Sequence, residues 1–192
     1  MNRTTIAAIE SEFLRYRGLA EETFRQLDAS ELTRGIQRIQ GIQGVEVGHG
    51  AGNSVAILVW HISGNLRSRF TDFLTSDGEK AWRQRDSEFE PREVDHRELQ
   101  ATWEEGWRVL RDALATLSDD DLGRTVTIRG VPHSVLQALL RALAHLSYHV
   151  GQIVYLGKLF RGDAWETLSI PRGGSEDYNR NPIRERHPGE QG

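Results

Sequence analysis

A chain of 192 residues with 38% hydrophobic and 27% charged residues is long enough for one domain with a substantial core, and its composition is that of an ordinary globular protein. The formal charge of -4 gives no electrostatic footprint for nucleic acid, because the 22 arginines among its 24 basic residues are interspersed with acids. The absence of cysteine excludes disulfides, thiolate ligands and a cysteine nucleophile, so any metal must be held by nitrogen and oxygen and any thiol must arrive as a substrate.

The elements follow in chain order and predict a mainly α fold. Ile6, Ile9, Phe13, Tyr16, Ala20, Phe24 and Leu27 recur at helical spacing, which predicts a first helix over about Thr4 to Leu27, capped by Thr4 or Thr5. From Asp28 to Asn53 the glycines Gly35, Gly41, Gly44, Gly48, Gly50 and Gly52 predict a long loop with short extended pieces near Ile39 and Val45. Ser54 is the expected N-cap of a second helix, with Val55, Leu58, Ile62, Leu66, Phe70 and Phe73 on its apolar side, running to about Thr75 and stopped by Ser76-Asp77-Gly78. The charged connection from Glu79 to Val94 contains Pro91 and is long enough to cross a bundle.

A third helix is expected over Asp95 to Leu117, where Trp103 and Trp107 stand one turn apart as packing residues. Val126-Thr127-Ile128 and Val131-Pro132-His133 flank Arg129-Gly130 as a small hairpin or turn. Ser134 then caps the most apolar helix, Val135 to Phe160, which ends near Arg161-Gly162. Leu168-Ser169-Ile170-Pro171 is expected to dock on the bundle. The domain is drawn over residues 1–178, with a polar tail over 179–192. No run approaches the roughly 18 apolar residues of a membrane span, and Met1-Asn2-Arg3-Thr4-Thr5 lacks the apolar core of a signal peptide, so a cytoplasmic location is expected.

Chemistry concentrates on three histidines. His145 and His149, in Ala144-His145-Leu146-Ser147-Tyr148-His149-Val150-Gly151-Gln152, are four residues apart and share a helix face. His61, in Trp60-His61-Ile62-Ser63-Gly64-Asn65, is a lone histidine on another apolar helix. A buried imidazole without a partner costs a few kcal/mol, and no acidic residue lies beside these three in the sequence, so a shared divalent metal is the common explanation. A core or interface histidine is the bland reading of each ring taken singly. Leu146 and Ser147 stand where a zincin needs its glutamate base, which disfavours a metalloprotease.

Asn65 and Gln152 are candidates to hydrogen-bond a substrate or a metal-bound water, the alternative being a helix-to-helix hydrogen bond. His49, His96, His133 and His187 are read as solvated, and Tyr148 and Trp60 as packing residues. For Arg67, Arg69, Arg83 and Arg85 salt bridging is expected, with binding of an anionic substrate at the bundle mouth as the alternative.

The chain resembles the DinB-like (damage-inducible) metalloprotein superfamily, in an uncharacterised bacterial branch. The resemblance runs from the first helix to Asn179. It rests on Trp60-His61-Ile62-Ser63-Gly64-Asn65-Leu66-Arg67-Ser68-Arg69-Phe70-Thr71-Asp72-Phe73-Leu74, on Arg85-Asp86-Ser87-Glu88-Phe89, on His145-Leu146-Ser147-Tyr148-His149-Val150-Gly151-Gln152-Ile153, and on Leu168-Ser169-Ile170-Pro171. It implies an all-α four-helix bundle with parallel second and third helices and a long crossover, and His61, His145 and His149 as the metal triad.

Zinc or nickel is the first expectation for the metal, with iron or manganese next. Characterised relatives in the superfamily include thiol S-transferases and a mycothiol-dependent isomerase. The function they imply is a metal-dependent enzyme activating a low-molecular-weight thiol, or water, against a small electrophile. The alternative is a non-catalytic, metal-stabilised stress-response or partner-binding bundle. A homodimer through an apolar helix face is compatible with both, and neither nucleic acid nor membrane is an expected partner.

Overall fold

The computed structural model describes residues 2–36 and 52–182. The expected extended pieces near Ile39 and Val45, His49 and His187 lie outside the described residues, as does the tail from residue 183. The chain is mostly helical: α1 (Thr4–Gln26), α2 (Ala29–Thr33), α3 (Val55–Phe70), α4 (His96–Ala115), α5 (Val135–Arg161) and α6 (Ser175–Arg180). One two-stranded antiparallel sheet, β1 (Thr125–Ile128) and β2 (Val131–Ser134), precedes α5 with Ile128 opposite Val131.

Side-chain caps start the later helices where the sequence places them. Ser54 accepts a hydrogen bond from the Ile57 amide at 3.2 Å, Asp95 from Glu98 at 2.8 Å, and Ser134 from Gln137 at 3.1 Å. At α1 neither Thr4 nor Thr5 is the cap. The carboxylate of Asp119, just beyond α4, accepts from the Thr5 and Ile6 amides at 3.0 Å each, so this helix start is satisfied through tertiary structure. The expected loop after Asp28 opens instead with α2, because Asp28 and Glu31 form a reciprocal capping box.

The second expected helix ends five residues early. Asp72 takes the left-handed conformation (φ 50°), which breaks the hydrogen-bond ladder after Phe70. Ser76-Asp77-Gly78 is therefore not a helix stop but a loop, clasped to the hairpin turn. The Asp77 carboxylate accepts from the amides of Glu79, Arg129 and Gly130 at 2.7–2.8 Å, and these backbone donors hold its pKa well below the usual carboxylate range. The Gly78 carbonyl in turn accepts from Ser68 at 2.7 Å and Arg69 at 2.6 Å, tying loop and hairpin to the end of α3.

The core lies between α1, α3, α4 and α5. Trp103 and Trp107 are almost wholly buried, edge-on to each other, and carry Phe24 and Phe13 against their rings. Close approaches occur at helical glycines: a Cβ on Gly106 of α4 would lie 2.8 Å from the Ser63 Cα of α3, and one on Gly157 of α5 would lie 2.5 Å from Thr23 of α1. Trp165 packs against Gly157, while Glu166 and Gln26 exchange hydrogen bonds, so the segment before Leu168 is fastened to α1. Tyr148, read as a packing residue, is 63% exposed: with Leu140, Tyr155 and Leu159 it forms a row on the outer side of α5. Among the described residues no helix is long and apolar enough to cross a membrane.

Candidate metal centre

His61 stands in the middle of α3, and His145 and His149 stand one turn apart on the inner face of α5. The helices bring the three rings together: one ring nitrogen from each lies within 4.8 Å of the others. His61 Nε2 is 3.1 Å from His145 Nε2, and the three ring centroids are 4.6–5.1 Å apart. His61 and His149 are buried and His145 is half-buried.

Two of the three tautomers are set by partners behind the rings. His61 Nδ1 donates to Glu88 Oε2 at 2.9 Å, so its lone pair sits on Nε2 and points into the cluster. His149 Nδ1 donates to Gln152 Oε1 at 2.8 Å, with the same result. A carboxylate or carbonyl behind a ring nitrogen orients an imidazole for metal ligation and raises its basicity. Three nitrogen donors with a common focus, two of them with their lone pairs fixed, could hold a divalent metal ion.

Glu88 corrects the reading that no acid accompanies the histidines. It lies on a short 3-10 turn, Asp86–Phe89, in the connection between α3 and α4, and its side chain is 9% exposed. Arg83 grips it with two hydrogen bonds, Nε to Oε1 at 2.7 Å and a terminal nitrogen to Oε2 at 2.9 Å. Burial alone would raise the carboxyl pKa, but the bonds from Arg83 and His61 outweigh it and hold Glu88 below the usual range. Gly64, one turn beyond His61, makes the space: a Cβ there would lie 2.7 Å from the Glu88 carboxyl carbon. A glycine inside an otherwise apolar helix, followed by an Arg83…Glu88 pair, was the available signal for this group.

The other expected residues are placed as follows. Gln152 supports His149 within α5, and Asn65 lines the cavity in front of the rings. His96 bonds the Leu27 carbonyl and His133 that of Val131, away from the cluster. Arg67, Arg69, Arg83 and Arg85 are all ion-paired, with Glu105, Glu79, Glu88 and Asp86. The cavity holds about 350 Å³ and opens between the rings, the hairpin and the small side chains Ala138 and Ala142.

Burial, then the neighbouring His149 and His61, push the pKa of His145 down to about 3, and burial lowers that of His149 despite the bond to Gln152. Both rings are therefore neutral, and ready as ligands, at ordinary pH. Below about pH 6.5 the unfolded chain takes up protons here that the folded chain refuses, so stability rises with pH. This contribution is complete above the unfolded value and is lost as pH falls toward the folded one. The urea midpoint of metal-free protein is expected to drop between about pH 7 and pH 5, before unfolded carboxylates titrate. The drop should shrink in the His145→Gln/His149→Gln double variant; a wild-type midpoint that does not move contradicts the assignment.

A crystal structure of a conserved protein from Enterococcus faecalis has a similar fold. It is 17% identical, with a TM-score of 0.57, and the similarity covers 84% of this chain and 99% of that one. No curated protein matches the chain. The model of a family described as a protein of unknown function, DUF1572, matches residues 1–174, and the chain belongs to that family.

Proposed function

We propose that the protein is a divalent-metal-dependent enzyme of DinB-like type that turns a thiol or water against a small electrophile. The observation that carries this reading is the convergence of His61, His145 and His149 on one point at the floor of a cavity. A bundle of α1, α3, α4 and α5 is the architecture proposed with it. Phe70 and Thr71 at the end of α3 share a groove with Asp112 and Thr116 at the end of α4, which supports the two helices running the same way.

A bound cation would supply Lewis acidity that generates a nucleophile at neutral pH. The chain's own residues do the rest. Glu88 and Gln152 hold the two ring protons outward, so that neither His61 nor His149 presents an N–H to the reacting side. Phe89 lies 4.6 Å from the His61 ring, centroid to centroid, and with Ala138 and Ala142 gives the cavity an apolar wall that limits water. Asn65 faces the cavity as a neutral hydrogen-bonding group for substrate. A closed structural centre would have no need of the adjoining space, so the cavity favours catalysis over a purely stabilising metal.

Elemental analysis of the purified protein tests the proposal. About one divalent ion per chain is expected in the wild type and essentially none in His149→Ala. Full metal content in that variant would rule out the triad. A screen of low-molecular-weight thiols against electrophiles, with metal-stripped protein as control, then identifies the reaction.

A further inference from the structure

Besides the imidazoles and the apolar side chains, five arginines line the cavity: Arg69, Arg83, Arg85, Arg129 and Arg141. Their counter-charges are too few. Arg83 is spent on Glu88, while Arg69 and Arg129 share the single carboxylate of Glu79, at 3.6 and 2.9 Å. Arg85 reaches only the fully exposed Asp86, at 3.7 Å. Arg141, one turn before His145 on the same face of α5, has no ion pair or hydrogen bond among the described residues. Asp77 fixes the hairpin that carries Arg129, so this side of the cavity is preorganised.

Arginines that outnumber their carboxylate partners around a concave, partly apolar space focus positive potential into it. Burial, together with the nearness of Arg83, Arg129 and Arg141, holds the pKa of Arg69 below the usual guanidinium value despite Glu79, as expected where like charges crowd. A ligand carrying negative charge relieves that crowding, and a guanidinium fork fits a carboxylate or phosphate through two parallel hydrogen bonds.

We infer that the cavity selects a small anionic molecule, a carboxylic acid or a phosphate monoester, whose acid group is taken by Arg141, with Arg129 lining the same cavity, while its other end faces the three histidines. This deepens the proposed function by naming a substrate class for the same site, and rests on that reading only for what happens at the histidine end. A volume of about 350 Å³ limits the ligand to metabolite size.

Calorimetric titration of the protein as purified, at low ionic strength and with metal content assayed in parallel, tests the inference with succinate and methyl phosphate as probes. At least one anion should bind saturably to the wild type, and the one that binds more tightly identifies the acid group. Arg141→Gln should weaken that binding by about tenfold or more without changing metal content, and Arg108→Gln, on the outer face of α4, should leave it unchanged. Failure of both probes to saturate the wild type overturns the inference, as does equal affinity in Arg141→Gln. If the chain proves to hold no metal but the Arg141 effect persists, the proposed chemistry falls and the anion site stands.

Discussion

Replacing Glu88 with alanine is expected to destabilise the fold by about 3–5 kcal/mol and to weaken metal binding by about 10- to 100-fold. Two charged or polar groups lose their partner at once. The Arg83 side chain, 2% exposed, keeps its charge without a counter-ion, and His61 loses the acceptor that fixes its tautomer. Glu88→Gln separates the effects, because an amide oxygen still accepts from His61 while the charge opposite Arg83 is gone. Urea unfolding reads the first effect and chelator competition the second. Stability within about 0.5 kcal/mol of wild type in Glu88→Ala would show that the buried pair does not bear on the fold.

A second large effect is expected at Gly106. Alanine normally stabilises a helix interior by up to about 1 kcal/mol relative to glycine. Here the new methyl group would lie 2.8 Å from a backbone carbon, the Ser63 Cα, and a backbone cannot swing aside like a side chain. The helices must part, and since α3 carries His61, the shift is felt at the histidine cluster. Gly106→Ala should therefore lower stability by about 1–3 kcal/mol, the range for overpacking a core. Gly18 in α1 gives the opposite sign, because a Cβ there meets nothing within 4 Å among the described residues. Gly18→Ala should raise stability by several tenths to about 1 kcal/mol, read from the same urea midpoints.

The contrast between these glycines shows what the sequence can and cannot carry. Helix periodicity and caps such as Ser54, Asp95 and Ser134 are local, and they were legible because the interacting groups lie within a few residues of each other. The histidine rows were legible for the same reason, since four-residue spacing settles a shared face before any tertiary structure is known. Asp119 capping α1 from 113 residues away, Asp77 gathering three amides, and Glu88 reaching His61 across 27 residues are products of packing, with no periodic trace. Asp72 breaks α3 through a backbone conformation that composition does not announce. Tyr148 departs from the packing role its surroundings suggest, because neighbours on an apolar helix share hydropathy but not direction: His149 turns inward and Tyr148 outward.

The spacing of the centre along the chain also sets an order of assembly. His61 and its carboxylate partner are 27 residues apart, whereas His145 is 84 residues from His61. During synthesis the first imidazole and the glutamate that tunes it leave the ribosome well before α5 exists. A nascent chain therefore has only one conditioned ring nitrogen until α5 docks, and any cation held by the three rings would be chelated after that step. Completion of the three-nitrogen cluster then becomes a late event of biogenesis, a sign that α3 and α5 have met.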